Sequence, residues 1–251
     1  MATMASGNFF KAALDKGAGP SLGYWQMMPS TNISRMLAQT PGCDWVLIDC
    51  EHGDLDDRDM RQCVPAVAAA GASPIILVPL LQTAQEACNI VKAAKFPPMG
   101  NRGFGSPFSM DRFKPVPTSD EYLQQANDSL LTLVQIETKS ALDNLEDIAA
   151  VEGIDVLFIG PFDLGNSIGY PILNGVVKPE LKAAIYRILE VSRKAGKKCG
   201  IYSSSGEQAR GYIEAGFDMV HVGTDYAMLQ QATRTEMGTA QGKDLGKRVG
   251  Y

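Results

Sequence analysis

Residues 44–57 read DWVLIDCEHGDLDD. Trp45, Val46, Leu47 and Ile48 have the β-branched and aromatic character of a buried strand, and the chain then turns polar at Asp49, Glu51 and His52. Short apolar runs bounded by polar turns mark strands covered on both faces. The pattern recurs as SLGYWQ (21–26), SPIILVPLL (73–81), LLTLVQIE (130–137), DVLFIG (155–160), KKCGIY (197–202) and DMVHVG (218–223). Helical patterns fall between them, at 57–70, 83–95, 140–149, 179–195 and 207–215, with Gly71, Gly196 and Gly216 placed as C-terminal stops. Strict alternation of strand and helix calls for parallel strands joined by helical crossovers.

Two architectures satisfy that pattern, a (β/α)₈ barrel and an open doubly wound sheet. No G-x-G-x-x-G links a first strand to a first helix, and GNRGFG (100–105) follows FPPM rather than a strand. The length of 251 residues favours the barrel, and no linker or low-complexity tract divides it. The expected fold is therefore α/β, a TIM (β/α)₈-type barrel in a single domain over 1–251. It is incomplete, because only about seven strands are recognisable. The shortfall has an address. SPIILVPLL carries Pro74 and Pro79 and stands alone between two helices. Proline is disfavoured inside a central strand, so this run reads as two strand signatures joined without their helix.

Composition narrows the function. The chain is 45% hydrophobic and 20% charged, with mean hydropathy -0.07, as expected of a globular protein. A net charge of -5 and a pI near 5.1 oppose a nucleic-acid partner, which needs a basic face. No apolar run approaches the roughly 18 residues of a membrane span. Residues 1–20 lack a secretory pattern and read as a short amphipathic helix with Phe9, Phe10, Ala13 and Leu14 on one side, and RVGY (248–251) matches no targeting tail. Five cysteines without paired metal spacing read as free thiols in a reducing compartment, so a cytoplasmic location is expected.

The polar residues at strand ends carry the chemistry. Gln135 and Glu137 end one strand, and Gly160, Pro161, Phe162 and Asp163 follow the next. In a barrel the C-terminal rim is where reacting groups sit. Two carboxylates there, completed by water and substrate oxygens, suit a hard divalent ion. Equally, Glu137 could serve as a helix cap and Asp163 as a turn residue. His52 at the same rim could move a proton, since imidazole titrates near neutrality. His221, in mid-strand, reads as a satisfied interior side chain. Two histidines in all argue against a multi-histidine zinc site. No strand ends in lysine, which argues against imine chemistry. The set fits enolate formation from a 2-oxo acid, with a metal as Lewis acid and the substrate carboxylate received near 160–162.

DWVLIDCEHG, FPPMGNRGFGS, LVQIETKSALDNL and VEGIDVLFIGPFDLGNSIGYP together resemble the HpcH/HpaI aldolase/citrate lyase family of metal-dependent pyruvate aldolases. SLGYWQMMPS and the cysteine of IDCEH look most like its fungal branch, which includes macrophomate synthase. The resemblance implies a lyase that makes or breaks a C–C bond beside pyruvate through a metal-stabilised enolate. Its reactions are retro-aldol cleavage of a 4-hydroxy-2-oxo acid or decarboxylation of oxaloacetate. It implies Glu137 and Asp163 as ligands of a divalent metal, Mg²⁺ first, with Mn²⁺ or Co²⁺ as alternatives. His52 becomes the acid/base group, and Asp49 a carboxylate that holds metal-bound water. Gln135, Gly160, Pro161 and Phe162 become substrate contacts, in a homo-oligomer. The pattern departs from the family at SPIILVPLL. There a strand-ending arginine and a helix-borne aspartate that pairs with the histidine have no counterpart, and about one βα unit near 75–79 is absent. An impaired or non-catalytic binding variant is the alternative that this departure raises.

Overall fold

Seven parallel strands form one sheet in the computed structural model, which describes residues 3–15, 17 and 19–246. RVGY at 248–251 lies outside the described residues. The strands are β1 (Ser21–Gln26), β2 (Trp45–Ile48), β3 (Ser73–Ile75), β4 (Leu133–Ile136), β5 (Val156–Ile159), β6 (Lys198–Ile201) and β7 (Met219–Thr224). Their order is β3-β2-β1-β7-β6-β5-β4, so the sheet curls with β3 and β4 as its two ends. An α/β barrel of seven recognisable strands is what the pattern of apolar runs predicts.

The two ends of the sheet are joined by one piece of chain. Ser73, Pro74 and Ile75 pair with Trp45, Val46 and Leu47 of β2. Only three residues later Val78 bridges Val134 of β4, and the Gln135 N–H donates to the Val78 carbonyl at 3.1 Å. A single segment therefore begins as the neighbour of β2 and ends as the neighbour of β4. Pro74 is tolerated because β3 has a strand on one side only, and Pro79 lies beyond the bridge. Leu80, just after it, is held at φ 53, a conformation that non-glycine residues rarely adopt.

No helix crosses between the two halves of that segment, and the consequence is visible outside the sheet. A void of about 560 Å³ opens beside β3, walled by Val64 and Ala68 of the helix Asp57–Ala70 and by Phe108 and Phe113 of a long loop. Ile76 and Phe108 are 58% and 67% exposed around it.

Elsewhere the barrel is conventionally packed. Trp25, Trp45, Leu47, Ile75, Leu133, Val156, Phe158 and Met219 fill its interior. The N-terminal segment closes the end where the strands begin, with Phe10 and Leu14 packed into that interior. It comprises two short helices, Thr3–Gly7 and Phe9–Asp15, rather than one, and Phe9 remains 39% exposed. The predicted helix over 140–149 is likewise two, Lys139–Asp143 and Leu145–Ala149. Asn144 divides them, its side-chain amide donating back to the Ser140 carbonyl. Among the described residues no helix is long and apolar enough to cross a membrane.

Candidate active site at the C-terminal rim

Each strand delivers its polar end to the same mouth. A cavity of about 70 Å³ is lined by Asp49 and His52 after β2, Gln135 of β4, and Gly160, Pro161, Phe162 and Asp163 after β5. Glu137 stands directly behind Gln135 and is 2% exposed. The eight side chains and backbone positions singled out in the sequence thus converge on one region.

Glu137 is not a helix cap. That position belongs to Thr138, whose hydroxyl accepts from the Ala141 N–H. One Glu137 oxygen accepts the Leu80 N–H at 2.7 Å and the other the Gln135 side-chain amide. The segment that runs on from β3 through Val78 to Leu80 therefore ends by gripping this carboxylate. Gly160 leaves the room it needs: a Cβ there would lie 2.3 Å from Glu137 Oε2 and 2.6 Å from Gln135 Nε2. Asp163 is in the first turn of the helix Pro161–Ser167, not in an isolated turn.

The electrostatics are those of carboxylates in want of a cation. Burial pushes the Glu137 carboxyl up to about 7; the Leu80 N–H opposes this, while the charges of Asp163 and Glu51 add to it. No lysine or arginine lines the cavity among the described residues. Arg102, the nearest candidate in sequence to replace a missing cationic group, lies elsewhere: its guanidinium stacks on Phe96 at 4.7 Å and donates to the Tyr122 hydroxyl. Nor do three His, Cys, Asp or Glu side chains cluster as a ready-made ligand cage among the described residues. A donor set of two carboxylates, one of them held partly protonated by burial and a like charge, fits a hard divalent ion whose remaining positions are water or substrate oxygens.

His52 sits at the mouth with its side chain 41% exposed, and its Nδ1 lies 3.0 Å from Asp49 Oδ2. Burial disfavours the imidazolium, but the charge of Asp49, its hydrogen bond, and the charges of Glu51 and Asp163 outweigh that, and the pKa is raised. The histidine thus has a carboxylate partner, although the residue that the resemblance led one to expect is missing. His221 is an interior side chain: its Nδ1 lies 2.6 Å from the Ser203 carbonyl, and burial takes its pKa down to about 4.

Trp25, Met27, Tyr202 and Thr224 also line the cavity, and the reading of the sequence passed over them. All four lie at or just beyond the C-terminal ends of β1, β6 and β7, so the rim rule would have found them. Met27 is held by Asp225, whose buried carboxylate accepts the N–H groups of Met27 and Met28 at 2.9 and 3.0 Å.

The HpcH/HpaI aldolase/citrate lyase family profile matches residues 55–232. The chain belongs to that family. It is 37% identical to the 4-hydroxy-2-oxo-heptane-1,7-dioate aldolase of Shigella flexneri, over 90% of each chain. That alignment spans 247 positions, so roughly 20 of them have no residue in this 251-residue chain. A solved HpcH/HpaI family structure from Burkholderia cenocepacia is 31% identical and superposes with a TM-score of 0.82, over 93% of this chain and 99% of the other. Macrophomate synthase shares the fold, with a TM-score of 0.79 at 23% identity over 96% of this chain and 91% of that one. The curated relatives are aldolases, and the expectation of a carbon–carbon lyase of this family holds.

Proposed function

We propose that this chain is a metal-dependent pyruvate aldolase, cleaving or forming the C–C bond of a 4-hydroxy-2-oxo acid or decarboxylating oxaloacetate. The observation that carries this reading is the buried Glu137 carboxylate, raised in pKa by burial and by the charge of Asp163, set behind Gln135 at a rim cavity that Asp163 and His52 both line. Glu137 and Asp163 would hold the ion, Mg²⁺ first and Mn²⁺ or Co²⁺ as alternatives. When bound, it supplies Lewis-acid stabilisation of negative charge developing on the 2-oxo oxygen.

The chain's own residues do the rest. The first turn of Pro161–Ser167, with Gly160 before it and Phe162 within it, receives the substrate carboxylate at a helix N-terminus. Gln135 holds a substrate or water oxygen beside Glu137. In cleavage, His52 takes the proton of the 4-hydroxyl as the C3–C4 bond breaks and its electron pair passes to the 2-oxo acid fragment. A proton returned to C3 then completes pyruvate. Asp49 serves the histidine rather than a water, since each of its oxygens already holds two protein contacts, whereas each Glu137 oxygen holds one.

The barrel acts as one domain over 1–251, in the cytoplasm, a reading supported by five free cysteines. A homo-oligomer is supported by the helix Asp225–Gln241, which leaves Leu229 and Met237 more than half exposed. The alternative, a family member that binds without turning over, is favoured by the single segment 73–78 that neighbours both β2 and β4 with no helix between its halves. Pyruvate release from 4-hydroxy-2-oxo-heptane-1,7-dioate, with Mg²⁺ or Mn²⁺ and with chelator, separates the two. Metal-dependent release supports the aldolase, and metal binding without release supports the alternative.

A further inference from the structure

We propose that Trp25 is a positioning residue: acting through Asp49, it sets the ring orientation and proton position of His52. The inference rests on the reading of His52 as the proton carrier. The Trp25 indole N–H donates to Asp49 Oδ2 at 2.5 Å, and the same oxygen faces His52 Nδ1 at 3.0 Å. The other oxygen, Oδ1, accepts the N–H groups of Glu51 and His52, both at 2.9 Å. Each oxygen holds two contacts, so the carboxylate cannot turn without breaking one. A carboxylate facing Nδ1 keeps the proton of the neutral ring on that nitrogen and leaves Nε2 as the basic atom. His52 is otherwise half in solvent, so its orientation depends on that one carboxylate.

The indole is itself fixed from behind. Its ring centroid lies 5.9 Å from Phe158 and 5.6 Å from both Tyr202 and His221, and the last two stack on each other at 4.2 Å. The aromatic filling of the barrel is thus continuous with the imidazole at its mouth. Burial alone does not call for this hydrogen bond. The chain's other tryptophan, Trp45, is fully buried with its indole N–H unpartnered among the described residues, whereas that of Trp25 is directed at the carboxylate touching the histidine.

The test removes the N–H with Trp25→Phe and, to keep the packing as well, with the isostere β-(3-benzothienyl)alanine in place of Trp25. ¹⁵N shifts of the His52 ring in metal-free protein report its tautomer. Deuterium exchange at the pyruvate methyl reports turnover, and Mn²⁺ titration reports the metal site. The proposal predicts that His52 moves from the Nδ1–H form to a mixture of tautomers. It also predicts that exchange falls roughly 10–100-fold in kcat, with Mn²⁺ affinity and the KM for pyruvate changed less than about threefold. An unchanged tautomer in whichever variant folds overturns the proposal, even if exchange is lost. A shifted tautomer in a protein whose parent shows no exchange supports the positioning and overturns the proposed function instead.

Discussion

Replacing Glu137 by Gln should stabilise the metal-free protein at alkaline pH while removing its response to metal. The carboxyl is 2% exposed, and burial pushes it up to about 7 in the fold, against 4.5 for a free glutamate side chain. A carboxyl whose folded pKa is raised opposes folding wherever the unfolded chain would be ionised. The stability lost as pH climbs from 4.5 through 7 is about 2.5 units at 1.36 kcal/mol each, or about 3 kcal/mol. Glutamine has the same shape: its carbonyl accepts the Leu80 N–H, and its amide donates to Gln135 once that side chain turns its oxygen inward. With EDTA present, thermal unfolding at pH 8.5 should therefore show Glu137→Gln above the parent by roughly 5–10 °C. The gap should shrink towards pH 4.5. Added Mg²⁺ or Mn²⁺ should raise the parent's Tm by mass action and leave the variant unmoved. Equal Tm values at pH 8.5, or a gap that does not narrow on acidification, would refute the claim that burial and like charge crowd this carboxylate.

Three further predictions follow from the same geometry. Gly160→Ala places a methyl 2.3 Å from Glu137 Oε2, so Mn²⁺ affinity should fall at least about tenfold, while Gly211→Ala, a control in the helix Gly206–Ala215 where a Cβ meets nothing within 4 Å, should leave that affinity alone. NMR titration of metal-free protein should put the His52 pKa above the usual 6.5. In Asp49→Asn, which removes the largest influence raising it, the pKa should drop; no change would mean that the pair is not coupled. Insertion of a strand–helix unit of roughly 20 residues between Ile75 and Val78, taken from a full-length relative, should raise Tm by filling the 560 Å³ void, and an unchanged Tm would show that the short form is already a complete packing solution.

The sequence was most legible where local chemistry and burial agree. The helix Asp57–Ala70 was read to both ends because Asp56 and Asp59 form a capping box and Gly71 adopts the left-handed conformation. β2 and β5 announced themselves as unbroken apolar runs because both faces are covered. The helix Pro161–Ser167 was missed although Pro161 stands at its first position, because PFDLGNS has too few apolar residues to show a period. The gap at 75–79 was visible as two prolines in one run. What the run could not show is that Val78 reaches β4 and lets Leu80 hold Glu137. Tertiary pairing of this kind has no local signature. At the site, Asp49, His52, Gln135, Glu137 and Asp163 were legible as polar ends of apolar strands. Trp25 and Tyr202 were not, because an aromatic residue in a strand reads as core, and these two are core and cavity wall at once.

The most direct test of the central claim is deuterium exchange at the methyl group of pyruvate, followed by ¹H NMR with saturating Mg²⁺. The account predicts exchange above the buffer rate in the parent, its loss with EDTA, and its loss in Asp163→Ala and His52→Ala, with Mn²⁺ binding abolished in the first variant and retained in the second. Exchange that persists in EDTA, or in Asp163→Ala, would contradict it.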